Sequence, residues 1–140
     1  MRAAMLFAVL CSLTACGGTT GLTQLPAGPS ELAGGVVLYE GANFAGSSAH
    51  VASDIPNLGD FDGPCEHTGD YDVIFHDWND CVSSFRVAPG WRATVYEERD
   101  YKGESYMTTG DTGNLQLVRG TCSHDGLNDC VSSVRVVRVE

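Results

Sequence analysis

A hexapeptide occurs twice in this chain. Asn79-Asp80-Cys81-Val82-Ser83-Ser84 returns unchanged as Asn128-Asp129-Cys130-Val131-Ser132-Ser133, 49 residues on, and identity over six positions marks an internal duplication. An earlier landmark agrees. Tyr39-Glu40-Gly41-Ala42-Asn43-Phe44-Ala45-Gly46 keeps its aromatic, Glu, aromatic and Gly in Tyr96-Glu97-Glu98-Arg99-Asp100-Tyr101-Lys102-Gly103, 57 residues on. The offsets differ by eight, which locates one insertion in the first copy. It falls between Cys65 and Cys81, because Cys122 and Cys130 are the closer equivalents, and residues 68–75 are expected to form an extended loop. Any fold must therefore be built from two copies of one unit.

Each unit reads as four antiparallel strands. Val36-Val37-Leu38-Tyr39-Glu40 and Ala93-Thr94-Val95-Tyr96-Glu97 are β-branched and apolar runs followed by turn formers, as expected of opening strands. Gly46 and Gly103 admit φ > 0 at no steric cost, and the pairs Tyr39/Phe44 and Tyr96/Tyr101 can close a folded hairpin over that turn. Phe85-Arg86-Val87 and Val134-Arg135-Val136 alternate, which puts one face on a core and sends Arg86 and Arg135 to water. With 17 Gly and no long segment of helical period, the chain is expected to be all-β, and 43% hydrophobic residues are enough for a real core. The folded part spans residues 36–140, with motif 1 at 36–89 and motif 2 at 90–140.

Before it lies an export segment. Arg2 precedes an apolar run too short to span a bilayer, ending in Leu13-Thr14-Ala15-Cys16. Those four residues resemble the bacterial lipobox, which implies a signal peptide at 1–15, cleavage before Cys16 and a lipid on that cysteine. Two or three acyl chains on one residue anchor stably. Residues 16–35 are rich in Gly, Thr, Pro and Ser and read as a flexible tether. Gly17 after the cysteine, where an Asp would favour the inner membrane, points to the outer membrane of the cell envelope if the source has two. Asp and Glu number 18 against 8 Lys and Arg, so no basic surface exists to displace phosphate counterions, and nucleic acid is excluded as a partner.

The tandem pattern of aromatic-x-x-x-x-aromatic-x-Gly followed by Asn-Asp-x-x-Ser-Ser resembles the microbial βγ-crystallin domain over residues 36–140. The resemblance implies a β-sandwich of two tandem Greek-key motifs related by a pseudo-two-fold axis. It also implies two calcium ions. One would be held by Asp80, the Cys130 carbonyl, Ser132 and the Glu40 carbonyl; the other by Asp129, the Cys81 carbonyl, Ser83 and the Glu97 carbonyl, with hard oxygen ligands throughout. Asn79 and Asn128 would be structural, and Ser84 and Ser133 would hydrogen-bond the folded hairpins. The alternative is a turn kept for its folding value alone, as in lens members of the family.

Four cysteines remain after Cys16, which suits an exported chain and allows three pairings. Equivalent places in the repeats favour Cys65 with Cys81 and Cys122 with Cys130. A zinc site is the alternative, since Cys65-Glu66-His67 and Cys122-Ser123-His124 are Cys-x-His pairs. No catalytic signature occurs, and the protein is expected not to be an enzyme. His50, His67, His76 and His124 read as surface residues, and Trp78 and Trp91 as core or interface aromatics. The resemblances imply two functions: a calcium-binding, lipid-anchored structural or stress module of the envelope, or, since the domain also resembles a family of secreted bacterial metallopeptidase inhibitors with a single crystallin-type sandwich and two disulfides, a crystallin-fold metallopeptidase inhibitor, for which no inhibitory loop is assigned. Its protein or polysaccharide partner is left open.

Overall fold

The computed structural model describes residues 34–122 and 125–140. The expected signal peptide, Cys16, the tether as far as residue 33, and His124 lie outside the described residues. Eight strands follow in order: β1 (Val36–Gly41), β2 (Ala45–Val51), β3 (Asp62–Thr68), β4 (Ile74–Asp77), β5 (Ser84–Val87), β6 (Trp91–Glu98), β7 (Lys102–Thr108) and β8 (Ser133–Arg138). The only helical elements among the described residues are three-residue 3-10 turns.

Each copy places its opening strand at the centre of a three-stranded antiparallel sheet, β2-β1-β5 and β7-β6-β8. The registers match. Val36 faces Val51 and Val87, while Ala93 faces Thr108 and Val136. The copies then exchange their third segments. Ile55 of motif 1 bridges Val134 of motif 2 (N–H to O, 2.8 and 2.9 Å), and Thr112 of motif 2 bridges Phe85 of motif 1 (2.9 and 3.0 Å). Each Greek key is thus completed by its partner, and neither sheet is whole alone.

Alternation along the strands decides what fills the space between sheets. Val36 and Leu38, Phe85 and Val87, Ala93 and Val95, and Val134 and Val136 are buried and belong to one cluster. The motif loops add Val82 and Val131, and the turns add Leu58 and Leu115. Trp78 occupies in motif 1 the place of Leu127 in motif 2: its N–H reaches the carbonyls of Leu58 and Phe61, as that of Leu127 reaches those of Leu115 and Val118. Trp91 is half-buried against the same core.

The insertion departs from expectation. Residues 68–75 are not an extended loop: β3 and β4 pair as a separate antiparallel hairpin, with His67 opposite Phe75 and Thr68 opposite Ile74. Its turn, Asp70–Asp72, is closed by the Gly69 N–H donating to the Val73 carbonyl at 2.8 Å. The pairing follows from Val73, Ile74 and Phe75, which suit an extended backbone, and from a cysteine bridge at the hairpin's base.

Candidate functional site

Beside the first strand of each motif the chain folds over itself. Asn43 and Phe44 take φ of 56° and 64°, Asp100 and Tyr101 take 57° and 63°, and Gly46 and Gly103 continue at 78° and 74°. One buried serine secures each turn. The Ser84 hydroxyl donates to the Gly41 carbonyl (2.6 Å) and accepts from the Phe44 N–H (3.0 Å); that of Ser133 donates to Glu98 (2.6 Å) and accepts from Tyr101 (3.0 Å). Tyr39 meets Phe44, and Tyr96 meets Tyr101, edge to face at 5.7 Å. Arg86 and Arg135 do not simply point to water. Their guanidinium groups lie 4.2 Å over the rings of Phe44 and Tyr101, so each arginine caps a folded hairpin from outside.

The two hexapeptides meet where the motifs cross. Asp80 and Asp129 both sit in left-handed backbone, at φ 51° and 52°. Their N–H groups donate across the pseudo-two-fold to the carbonyls of Val131 (3.1 Å) and Val82 (3.3 Å). The side chains cross likewise: Ser132 Oγ donates to Asp80 Oδ1 at 3.4 Å, and Ser83 Oγ to Asp129 Oδ1 at 3.2 Å. Asn79 and Asn128 hold the other carboxylate oxygens, each at 2.7 Å. One expected grouping changes. The Ser83 N–H donates to the Tyr39 carbonyl (3.0 Å) and that of Ser132 to Tyr96 (2.9 Å). Glu40 therefore stands with Ser83 and Asp129, and Glu97 with Ser132 and Asp80, the reverse of the sequence expectation. The reason is topological, since β1 and β6 pair with β5 and β8 of their own motifs.

The crossover is electrostatically tense at one end. Loss of hydration pushes the Asp80 carboxyl above its ordinary value and nearby Asp77 adds to this, against the opposing hydrogen bonds of Ser132 and Asn79 and the charge of His67. A cation there would relieve the cost of the ionised form. Glu97 behaves in the opposite sense. Desolvation raises its carboxyl, but hydrogen bonds from the Thr121 side chain and N–H and from the Cys122 N–H outweigh it and hold the group below its ordinary value. Those bonds, with Thr121 Oγ1 at 2.6 Å and Cys122 N at 3.0 Å, clamp the loop before β8. In motif 1 the equivalent Glu40 accepts instead from the Ser47 N–H at 3.2 Å. The repeat pattern gave no sign of this difference.

The cysteines are joined within repeats, Cys65 to Cys81 and Cys122 to Cys130, with Cα atoms 5.8 and 6.3 Å apart. All four sulfurs are consumed, so the zinc alternative loses its thiolate ligands. His67 instead lies 3.3 Å from Asp77, while His50 and His76 are exposed. Among the described residues no cluster of three or more His, Cys, Asp or Glu could hold a metal.

The hairpin carries what sequence reasoning missed. Tyr71 is 98% exposed, and Val73, Ile74 and Phe75 are 46%, 54% and 51% exposed. A signal was available: an apolar triplet inside the one insertion that breaks the repeat.

Comparison with solved structures places the fold. A domain from a study of the evolution of the eye lens βγ-crystallin fold matches with a TM-score of 0.56 and 24% identity, over 76% of this chain and 88% of that one. A βγ-crystallin domain from Flavobacterium johnsoniae matches at 0.51 and 25%, over 74% and 93%. A βγ-crystallin from Ciona intestinalis matches at 0.52 and 25%, over 73% and 98%. No curated protein matches. The chain is a βγ-crystallin-type sandwich, a scaffold that by itself names no activity. A family model narrows this. It matches residues 33–109, more than half of the chain, through motif 1 and the hairpin into β7, and on that match the chain belongs to peptidase inhibitor family I36.

Proposed function

We propose that this chain is a non-catalytic inhibitor of a peptidase, working outside the cytoplasm on a sandwich tied together by calcium. The observation that carries the reading is the inhibitor-family match across motif 1, including its inserted hairpin. Two disulfides support an oxidising compartment. The test is inhibition by the full chain across metallo-, serine and cysteine endopeptidases. Tight, stoichiometric inhibition of a metallopeptidase is expected, and no inhibition of any class contradicts the reading.

Calcium is supported by the paired oxygens of the crossover. One ion would take the Asp80 carboxylate, the Ser132 hydroxyl and the carbonyls of Cys130 and Glu97; the other, Asp129, Ser83 and the carbonyls of Cys81 and Glu40. One carboxylate per site suits an affinity on the order of 10⁻⁶ to 10⁻⁴ M, matched to an exterior calcium supply. Bound ions would supply cross-links between the motifs. If they do so without any peptidase being inhibited, the protein is a structural or stress module of the envelope instead.

The lipobox-like Leu13-Thr14-Ala15-Cys16 supports anchoring through a lipid on Cys16. Cys16→Ser should move the protein from the membrane fraction to the soluble one. An unchanged mature mass and unchanged fractionation would remove the anchor from this account.

A further inference from the structure

Beside the link between the two motifs lies an open groove of about 570 Å³, lined by Gly34, Pro89, Gly90, Trp91, Arg138 and Glu140. That volume is within the range of small-molecule sites. The duplication accounts for its form. Trp91 opens β6 and faces Arg138 across the β6–β8 ladder. Their equivalents in motif 1, by the offsets of 57 and 49, are Gly34 and Pro89. Both pairs line the same groove, so a large aromatic and a long cationic side chain of motif 2 stand beside positions where motif 1 has only small residues.

The indole is held in place before any ligand arrives. Trp91 packs against the core, its backbone N–H donates to the Ala88 carbonyl at 3.0 Å, and a Cβ added at Gly34 would meet the ring at 2.9 Å. Gly34 is fixed in turn, since the His50 Nε2–H donates to its carbonyl at 2.6 Å. Gly90, at φ 76°, accepts from the Val139 N–H at 2.8 Å. A platform set by its neighbours loses little entropy on binding. The polar groups around it are unspent. Arg138 and Glu140 are exposed, and among the described residues neither has an ion-pair partner and the Trp91 indole N–H has no acceptor.

We propose that this groove binds an uncharged saccharide, a pyranose ring stacking on the Trp91 indole while Arg138 and Glu140 hydrogen-bond its hydroxyls. The C–H face of such a ring is apolar and suits an aromatic surface. Its hydroxyls both donate and accept, whereas a guanidinium only donates and a carboxylate only accepts, so the two side chains together satisfy neighbouring hydroxyls. The indole N–H adds a third polar contact. Charge narrows the class further. An anionic ligand would meet Glu140 and a chain of net charge −10, and a cationic one would meet Arg138 beside the ring. A wholly apolar ligand would cover both charges without pairing either. The site stands independently of the inhibitor reading.

Chitotriose and maltotriose are the probes, titrated into the ¹⁵N-labelled full chain and followed by NMR, with trigalacturonate as the charged counterpart. The chain has two tryptophans, and Trp78 is 3% exposed in the core, so its indole N–H signal is an internal control. The Trp91 indole signal should shift to saturation with at least one neutral probe while that of Trp78 stays in place, and trigalacturonate should bind more weakly than that probe. Which neutral probe binds separates an N-acetylated glycan from a plain glucan. Arg138→Ala and Glu140→Gln should each weaken binding about tenfold, the loss expected of one hydrogen bond to a charged group. Trp91→Ala should abolish it, and the two exposed positions keep the test open should that variant fold poorly. A Trp91 signal unmoved by both neutral probes, trigalacturonate binding as tightly as either, or undiminished binding in folded Arg138→Ala and Glu140→Gln overturns the proposal.

Discussion

Asp80 shows how much a single residue can carry here. Its backbone is left-handed, its N–H and one carboxylate oxygen reach into motif 2, and desolvation raises its pKa. Asp80→Ala should therefore weaken the ion assigned to Ser132 and Glu97 and spare the one assigned to Ser83 and Glu40. Calorimetry should find one calcium equivalent in the variant against two in the wild type. Glu97 gives a prediction in pH. Its folded carboxyl lies below the ordinary value of 4.5, so its contribution to stability is present above about pH 4.5 and is lost as pH falls through the folded value. Hydrogen exchange at the Thr121 and Cys122 amides should accelerate over that acidic window, and Glu97→Gln should flatten the dependence. The pairing of Asp with Ser across the motifs came with the family resemblance. The partners of the Glu carbonyls did not, because they depend on which strand each Glu ends.

Among elements, the folded hairpins and the inserted hairpin contrast. The first kind is legible in the repeat itself. Its turn glycines, aromatic pair and serine are spaced in parallel in both copies, and the aromatic contacts that close it act over a short loop. Ser84 and Ser133 are fully buried and each makes two hydrogen bonds. Ser84→Ala should strand the Phe44 N–H and cost roughly 1–3 kcal/mol in denaturant titration. The inserted hairpin is legible only as an insertion. Asp62, Gly63 and Pro64 open β3 and are poor strand formers, and pairing arises because the Cys65–Cys81 bridge and the buried Trp78 bring the two ends together. The exchanged segments at Ile55 and Thr112 are equally hidden. Each contributes a single bridge, too short to leave an alternating pattern.

For the whole molecule, the duplication is the most informative feature of the chain, since two copies with buried faces have to cover each other. The single core, drawn from both sheets, is that solution. Ties within and between the halves add to it. The Cys65–Cys81 bridge closes a loop of 16 residues, and Cys65→Ser/Cys81→Ser should lower stability by about 3 kcal/mol in chemical denaturation. A calcium ion at a hundredfold excess over its dissociation constant should add about 2.7 kcal/mol, read as a rise in Tm. Function is the least legible property, because the scaffold serves many roles and the surface that distinguishes this copy is an insertion with no repeat partner. Inhibition is the central claim, and active-site titration tests it most directly, with thermolysin held at fixed concentration and the full chain added stepwise. Tight one-to-one inhibition predicts that activity falls linearly and vanishes near one chain per enzyme; full activity at several-fold excess of the chain would contradict it.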